Sequence, residues 1–200
     1  MLGGVLYSAK ILWDTTIYGA PLHLADVTDT LFFVVPLLLL LGLAGFGARY
    51  TERYGALGKT GLLTGLSGLA VAVMGSLGGI WVESLQLVFW LGFRFLCIGL
   101  VLMGIATVRV RALPRGWNVV PLILGLLGLG RTLFAFFAVT MGVTGLEAPE
   151  AQGPLGDFLS LWAGTFSSAF GVLFGLGWVW LGYTLLADRP GTTRRIARVE

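Results

Sequence analysis

The sequence predicts an all-α integral membrane protein, a bundle of six transmembrane helices or of five with one further helix in the membrane interface. Hydrophobic residues make up 56% of the 200 residues and charged residues only 12%, whereas about a quarter of a soluble domain is charged. Apolar runs of about twenty residues recur along the chain, and each can cross a bilayer core of roughly 30 Å. A soluble fold of 200 residues has too little interior to bury them all.

The predicted spans are apolar segments separated by turns or charged loops. They cover about residues 2–20, 30–48, 60–81, 85–108, 117–142 and 158–187. Together they form one domain, residues 1–188, followed by a basic cytoplasmic tail, residues 189–200. The first span is ambiguous because it contains Lys10 and Asp14, which can pair along a spanning helix or lie on the polar face of an interfacial one. We favour the spanning helix.

Turn and breaker residues set the expected helix ends. Thr28 or Asp29 is expected to cap the second helix, and Asp157 the last one, because their side-chain oxygens can accept hydrogen bonds from the first free N–H groups. Pro36 is expected to kink the second helix, since its ring removes a backbone hydrogen bond. Pro121 falls in the first turn of the fifth helix, where proline is tolerated.

Small residues recur on one face of the third predicted helix, at alternating spacings of four and three. Lipid offers no hydrophobic drive between helices, so close backbone contact through small residues supports their association. We therefore expect this face to pack against another helix, and the fifth and last helices repeat the device. The predicted packing residues are Gly61, Gly65, Gly68, Ala72, Gly75, Gly79, Gly125, Gly128, Gly164, Gly171 and Gly175.

Charges outside the spans predict the orientation. The basic residues of the loops and tail all fall on one side: Arg49, Arg53, Lys59, Arg109, Arg111, Arg115, Arg189, Arg194, Arg195 and Arg198. The other side carries only acids: Asp26, Asp29, Glu83, Glu147, Glu150 and Asp157. Because Lys and Arg concentrate in cytoplasmic loops, we expect a multi-pass protein of a bacterial inner membrane with a cytoplasmic C-terminus.

Arg94 and Arg131 lie inside neighbouring antiparallel spans, both about 13–17 Å below the outer surface at 1.5 Å per residue. A charge there is costly unless it is paired or hydrated, so both are candidates for function. With Lys10 nearby and Asp14 the sole acid at that depth, one interpretation is a pocket for an anionic head group, carboxylate or quinone oxygen. The favoured interpretation is a salt bridge from Asp14 to one arginine, while the other bonds carbonyl groups or reaches outward.

Motifs for catalysis or metal binding find little support. His23 is the only histidine, which excludes a two-histidine haem and any multi-histidine metal site within this chain. The segment Gly65–Gly68 matches the GxSG pattern of rhomboid-type intramembrane proteases, but no histidine follows Ser67 to activate it. Cys97 is the only cysteine, so no disulfide forms within the chain.

We therefore expect a non-catalytic accessory or structural subunit of a larger inner-membrane complex, of respiratory, photosynthetic or transport machinery. The alternative is a small transporter or a lipid- or quinone-binding protein with its anion site at Arg94 and Arg131. No cofactor is predicted, and a bound lipid, quinone or pigment stays open. The expected partners are other integral membrane subunits and lipids, and not nucleic acid. A subunit should expose a small-residue stripe, whereas a binding protein needs a cavity at the arginines.

Overall fold

The computed structural model contains α-helices and no strands in the part of the chain that it describes, which confirms the all-α prediction. It describes residues 1–16, 25–50, 52, 54–79, 82, 85–111, 113, 117–140 and 154–187. Within the helices, side chains are described for residues 1–9, 11, 34–50, 56–78, 87–110, 120–133, 168–183 and 186. The helices are α1 Leu2–Thr16, α2 Ala25–Tyr50, α3 Ala56–Gly79, α4 Gln86–Val110, α5 Val120–Thr140 and α6 Pro154–Ala187.

Two helices begin earlier than the capping residues predict. α2 begins at Ala25, so Thr28 and Asp29 lie inside it, and α6 begins at Pro154, so Asp157 lies in its first turn. Proline is favoured at the first helical position because its missing N–H would have no partner there, and an acid in the first turn complements the helix dipole. The capping assignments were therefore wrong by about one turn. α2 continues through Pro36.

The helices form a closed ring in chain order. Each packs against its neighbours in sequence, and α6 packs against α1. Neighbours run antiparallel: Gly61 of α3 faces Met103 of α4, whereas Gly75 of α3 faces Phe89 of α4. Short connections favour this up-and-down arrangement, because successive helices can then pack side by side.

α1 lies along α6 and is a full member of the ring. Gly4 of α1 faces Gly175 of α6, and Gly171 of α6 faces Ile11 of α1, so the two helices are in contact along most of α1. The Ser8 hydroxyl also donates a hydrogen bond to the carbonyl oxygen of Val172, at 3.2 Å. At 1.5 Å per residue, the 15 residues of α1 span about 22 Å.

Among the described residues, two helical segments are long and apolar enough to cross a membrane, so the six predicted spans are not confirmed. Ala56–Gly78 has 23 residues and a mean hydropathy of 1.6, and Leu87–Val110 has 24 residues and a mean hydropathy of 2.2. Three further apolar segments found among the described residues, Val34–Tyr50, Val120–Leu133 and Ser168–Tyr183, are shorter. Two such helices are consistent with membrane association.

The buried core runs along the axis of the ring. Leu43, Leu69, Leu96, Leu100 and Leu124 are almost fully buried and come from four different helices. An aromatic cluster continues this core where α1, α4 and α6 meet, and it consists of Tyr7, Phe89, Phe93 and Phe174. This cluster brings the polar groups of the candidate site together.

Candidate functional site

Helices α3 and α4 approach each other through glycines on both sides. A methyl group added to Gly68 would lie 2.5 Å from the backbone nitrogen of Leu96 and 2.6 Å from the carbonyl oxygen of Gly92. Gly92 in turn faces Ala72, and Gly99 faces Gly65. Such close approach leaves no room for a side chain, so the two helices pack backbone against backbone.

The α4 half of this contact was not predicted from the sequence. Gly92 and Gly99 lie seven residues apart, which is about two helical turns, so they share one face of α4. They match the seven-residue spacings in the α3 stripe, such as Gly61 to Gly68 and Gly68 to Gly75. This repeat was available in the sequence and could have identified α4 as the partner of α3.

The other predicted packing residues also face neighbouring helices. Gly125 lies against Val101 of α4, Gly128 lies against Cys97 of α4, and Gly175 lies against Ser8 of α1. The surroundings of Gly79 and Gly164 lie outside the described side chains. The described residues among these predicted packing positions are therefore occupied by contacts within the chain.

The register of α4 and α5 puts Arg94 and Arg131 at the same level. Cys97 lies beside Gly128, and the helices run antiparallel. Arg94 and Arg131 are each three residues from this contact, in the same direction along the bundle, which is about 4.5 Å at 1.5 Å per residue. Equal depth does not give them equal surroundings.

Arg131 is half-buried and contacts two aromatic residues. Its Nη1 donates a hydrogen bond to Tyr7 Oη at 2.6 Å, and its guanidinium lies 5.8 Å from the ring centroid of Trp90. Tyr7 is itself held by stacking on Phe93, with ring centroids 6.1 Å apart, and by a tilted contact with Phe174 at 5.4 Å. The hydrogen bond and the cation–π contact thus fix the guanidinium between α1, α4 and α5.

Arg94 points away from the bundle. It is exposed, in line with the exposed Leu87, Leu91 and Ile98 on the same face of α4. Among the residues that the structure describes, Arg94 makes no hydrogen bond and no ion pair. The side chains of Lys10 and Asp14, the other predicted site residues, lie outside the described part. The predicted ligand-binding role of these four residues stays a prediction.

A cavity of about 210 Å³ lies away from both arginines. It opens between α1, α2 and α6 and is lined mainly by apolar groups, including Leu38, Gly42, Trp178 and Gly182. Trp178 Nε1 is buried and has no hydrogen-bond partner in the described part of the chain. The cavity is therefore a separate apolar feature of the α1–α2–α6 contact.

One end of the bundle is basic and aromatic. Arg49 lies in the last turn of α2, Lys59 in the first turn of α3 and Arg109 in the last turn of α4, and these three side chains are exposed. The turn after α4 adds the exposed Arg111. At the same end the rings of three further residues meet: Trp117 lies 4.8 Å from Trp180 and 6.3 Å from Tyr183, measured between centroids.

Two features of the described residues bear on a metal site and on a reactive Ser67. No three His, Cys, Asp or Glu residues of the described part come together as a metal site. The Ser67 hydroxyl donates to the carbonyl oxygens of Leu63 and Thr64, at 2.8 Å and 3.1 Å, within its own helix.

No protein-family model matches the chain, and no significant similarity to a curated protein or a solved structure was found.

Proposed function

We propose that the protein is a non-catalytic subunit of a larger membrane complex, and that it docks through the outward face of α4 around Arg94. In this proposal all six helices belong to a multi-pass bundle in a bacterial inner membrane, with the C-terminus in the cytoplasm. The observation that carries the proposal is the exposed position of Arg94 within an apolar face. We call Leu87, Leu91, Arg94 and Ile98 the α4 face.

Exposed apolar side chains support a membrane location. Leu87 of α4 is 73% exposed, Met74 of α3 is 70% exposed and Leu63 of α3 is 67% exposed. At about 25 cal/mol per Å² of apolar surface, leaving many such side chains in water would cost several kcal/mol, and lipid removes that cost. Helices α2 to α6 have 21 to 34 residues, or about 32–51 Å, against a hydrocarbon core of roughly 30 Å.

The position of the charges supports the proposed orientation. Arg49, Lys59, Arg109 and Arg111 share one end of the bundle. Cytoplasmic loops are enriched in Lys and Arg, and tryptophan and tyrosine are enriched at both membrane interfaces. The basic end, with its exposed Trp180 and Tyr183, is therefore the proposed cytoplasmic end.

Arg94 is the charge that a partner would satisfy. It lies eight residues from Gln86, the start of α4, or about 12 Å along the helix. An arginine at the centre of a spanning helix costs about 2.5–3.5 kcal/mol on insertion scales, and part of this cost applies at intermediate depth. A carboxylate on a partner helix at the same level would offset it. Because the described members of the predicted stripes on α3, α5 and α6 are used inside the chain, we expect charge, and not close packing through these stripes, to recognise the partner.

The test is site-specific photo-crosslinking in the native membrane. A photoreactive residue at Leu91 should crosslink to one membrane protein whose span carries an Asp or Glu, and Arg94→Gln should abolish the crosslink. The same residue at Leu173, which is exposed on α6, is the matched control and should not give that product. A Leu91 product that contains only lipid, or one that Arg94→Gln leaves unchanged, would overturn the proposal.

A second candidate, binding of an anionic or quinone-type ligand, is favoured by the arrangement around Arg131. Its guanidinium is half-buried between Tyr7 and Trp90, and Trp90 is partly exposed. A ligand oxygen could accept a hydrogen bond from the same guanidinium that binds Tyr7. Addition of ubiquinone should quench tryptophan fluorescence, and Trp90→Phe should reduce the quenching. Quenching that is equal in Trp90→Phe and in the wild type would exclude this site.

A further inference from the structure

Two hydrogen bonds connect Asn118, just before α5, to Thr107 of α4 and to Leu113 after that helix. The backbone N–H of Leu113 donates a hydrogen bond to Asn118 Oδ1 at 2.9 Å, and the Thr107 hydroxyl donates to the carbonyl oxygen of Asn118 at 2.7 Å. Leu113 and Thr107 are both buried. One asparagine thus connects the end of α4, the turn and the start of α5.

Arg111 is the residue that directly follows α4. It has φ 51° and ψ 44°, the left-handed conformation, and its side chain is exposed. Residues other than glycine rarely adopt this conformation, because Cβ then crowds the backbone. Arg109, two residues before Arg111, is exposed as well.

Three aromatic rings meet at the same end of the bundle. Trp117 directly precedes Asn118 and contacts Trp180 and Tyr183, which are 55% and 54% exposed. Further along the same helices, Ile123 of α5 and Leu176 of α6 are also exposed. From the end of the bundle inward, the order is therefore cation, amphipathic ring and aliphatic side chain.

We propose that this surface binds one anionic phospholipid of the cytoplasmic leaflet. The phosphate pairs with Arg111 and Arg109, the glycerol and ester region lies against Trp180 and Tyr183, and an acyl chain follows Ile123 and Leu176. The order of chemical groups on the protein matches the order along a phospholipid, and that match selects a lipid as the occupant. The inference rests on the proposed membrane location, but it does not need a protein partner at the α4 face.

The experiment is native mass spectrometry of the full-length protein released from detergent with added lipid. The wild type should retain one phosphatidylglycerol more strongly than phosphatidylcholine. Arg111→Gln and Arg109→Gln should each weaken phosphatidylglycerol binding about fivefold, the effect expected of one basic residue near an anionic lipid. Because Arg111 has an unusual backbone conformation, Arg109→Gln gives a second test in regular helix.

Lys59→Gln is the matched control, since it removes one exposed charge at the same end but on α3. It should leave phosphatidylglycerol binding unchanged. Equal retention of both lipids, or an equal loss in Lys59→Gln and Arg109→Gln, would overturn the proposed site, because either result means a diffuse charge effect. A protein that enters neither phosphatidylglycerol nor phosphatidylcholine vesicles would instead contradict the membrane location itself.

Discussion

Arg131 of α5 donates a hydrogen bond of 2.6 Å to Tyr7 Oη of α1, across 124 positions of sequence. The bond depends on ring closure, because α6 packs against both α1 and α5 and so holds these two helices in the same region of the bundle. Tyr7 also stacks on Phe93 of α4. A charged side chain in a largely apolar bundle therefore joins helices from the beginning and the second half of the chain.

Removing the oxygen of Tyr7 should weaken this connection. Tyr7→Phe should lower the free energy of unfolding by about 1 kcal/mol, since an interhelical hydrogen bond in a membrane protein is worth about 0.6 kcal/mol on average and charge strengthens it. A double-mutant cycle with Arg131→Met, followed by chemical denaturation in detergent, measures the coupling. A coupling of zero between the two positions would mean that the bond contributes nothing to stability.

Close contact between α3 and α4 should make Gly68 intolerant of any side chain. Gly68→Ala places a methyl group against the backbone of Leu96 and Gly92, and should cost about 1–3 kcal/mol. Gly45→Ala is the control, since a methyl group at Gly45 would meet no atom within 4 Å, and it should be neutral or stabilising by up to about 1 kcal/mol. Melting temperatures of the two variants in detergent test this prediction. Equal values for Gly68→Ala and Gly45→Ala would contradict the close contact between α3 and α4.

Cys97 should be unreactive in the folded protein. It is fully buried against Gly128, and it is the only cysteine, so labelling with a maleimide reports on one site. We expect labelling only at denaturant concentrations that unfold the bundle. Gly128→Ala, which pushes a methyl group onto Cys97 Sγ, should shift labelling to lower denaturant concentrations. Rapid labelling of the native wild type would show that α4 and α5 are not packed as described.

Tyr54 should make the protein sensitive to alkali. Its ring is buried beside Phe46, its hydroxyl has no hydrogen-bond partner in the described part of the chain, and burial, together with nearby Tyr50, raises its pKa above the ordinary value of 10.0. The unfolded chain therefore loses this proton at lower pH than the folded protein does. The contribution of Tyr54 to the free energy of unfolding is therefore constant below about pH 10. The free energy of unfolding falls as the pH rises further.

Tyr54→Phe should abolish the loss of stability at high pH that is due to Tyr54. It also removes a buried hydroxyl that has no hydrogen-bond partner in the described part of the chain. Melting temperatures at pH 8 and pH 11 measure the effect. Tyr183→Phe, at an exposed ring, is the control and should follow the wild type. If Tyr54→Phe loses as much stability between the two pH values as the wild type, Tyr54 is not the group responsible.

The sequence predicted the positions of the helices better than it predicted which helix faces contact each other. The apolar runs located each helix, because hydrophobic length is a local property, and the α3 stripe from Gly61 to Gly75 marked one contact face. The predicted helix ends were less accurate. For example, α6 begins at Pro154, three residues before Asp157, which was predicted to cap it. The partner of the α3 stripe, with Gly92 and Gly99, was missed because two glycines are a weaker signal than the five glycines and one alanine of the α3 stripe.

The difference between Arg94 and Arg131 could not be predicted from spacing. Both lie at the same level on adjacent helices, and helical periodicity alone does not say which flank of a helix faces the bundle axis. That depends on the closure of α6 onto α1, which brings Tyr7 beside Arg131 and leaves Arg94 outside. Long-range topology thus decides which of two similar residues is internal.

The most direct measurement is the mass of the native complex after gentle extraction from its own membrane, compared with that of Arg94→Gln. The proposed function predicts a wild-type particle that contains a second membrane protein, and a variant that elutes without it as a folded 21.3 kDa chain. Maleimide protection of Cys97 verifies the fold of the variant. A wild type that elutes alone, or a complex that survives Arg94→Gln, would contradict docking through the α4 face.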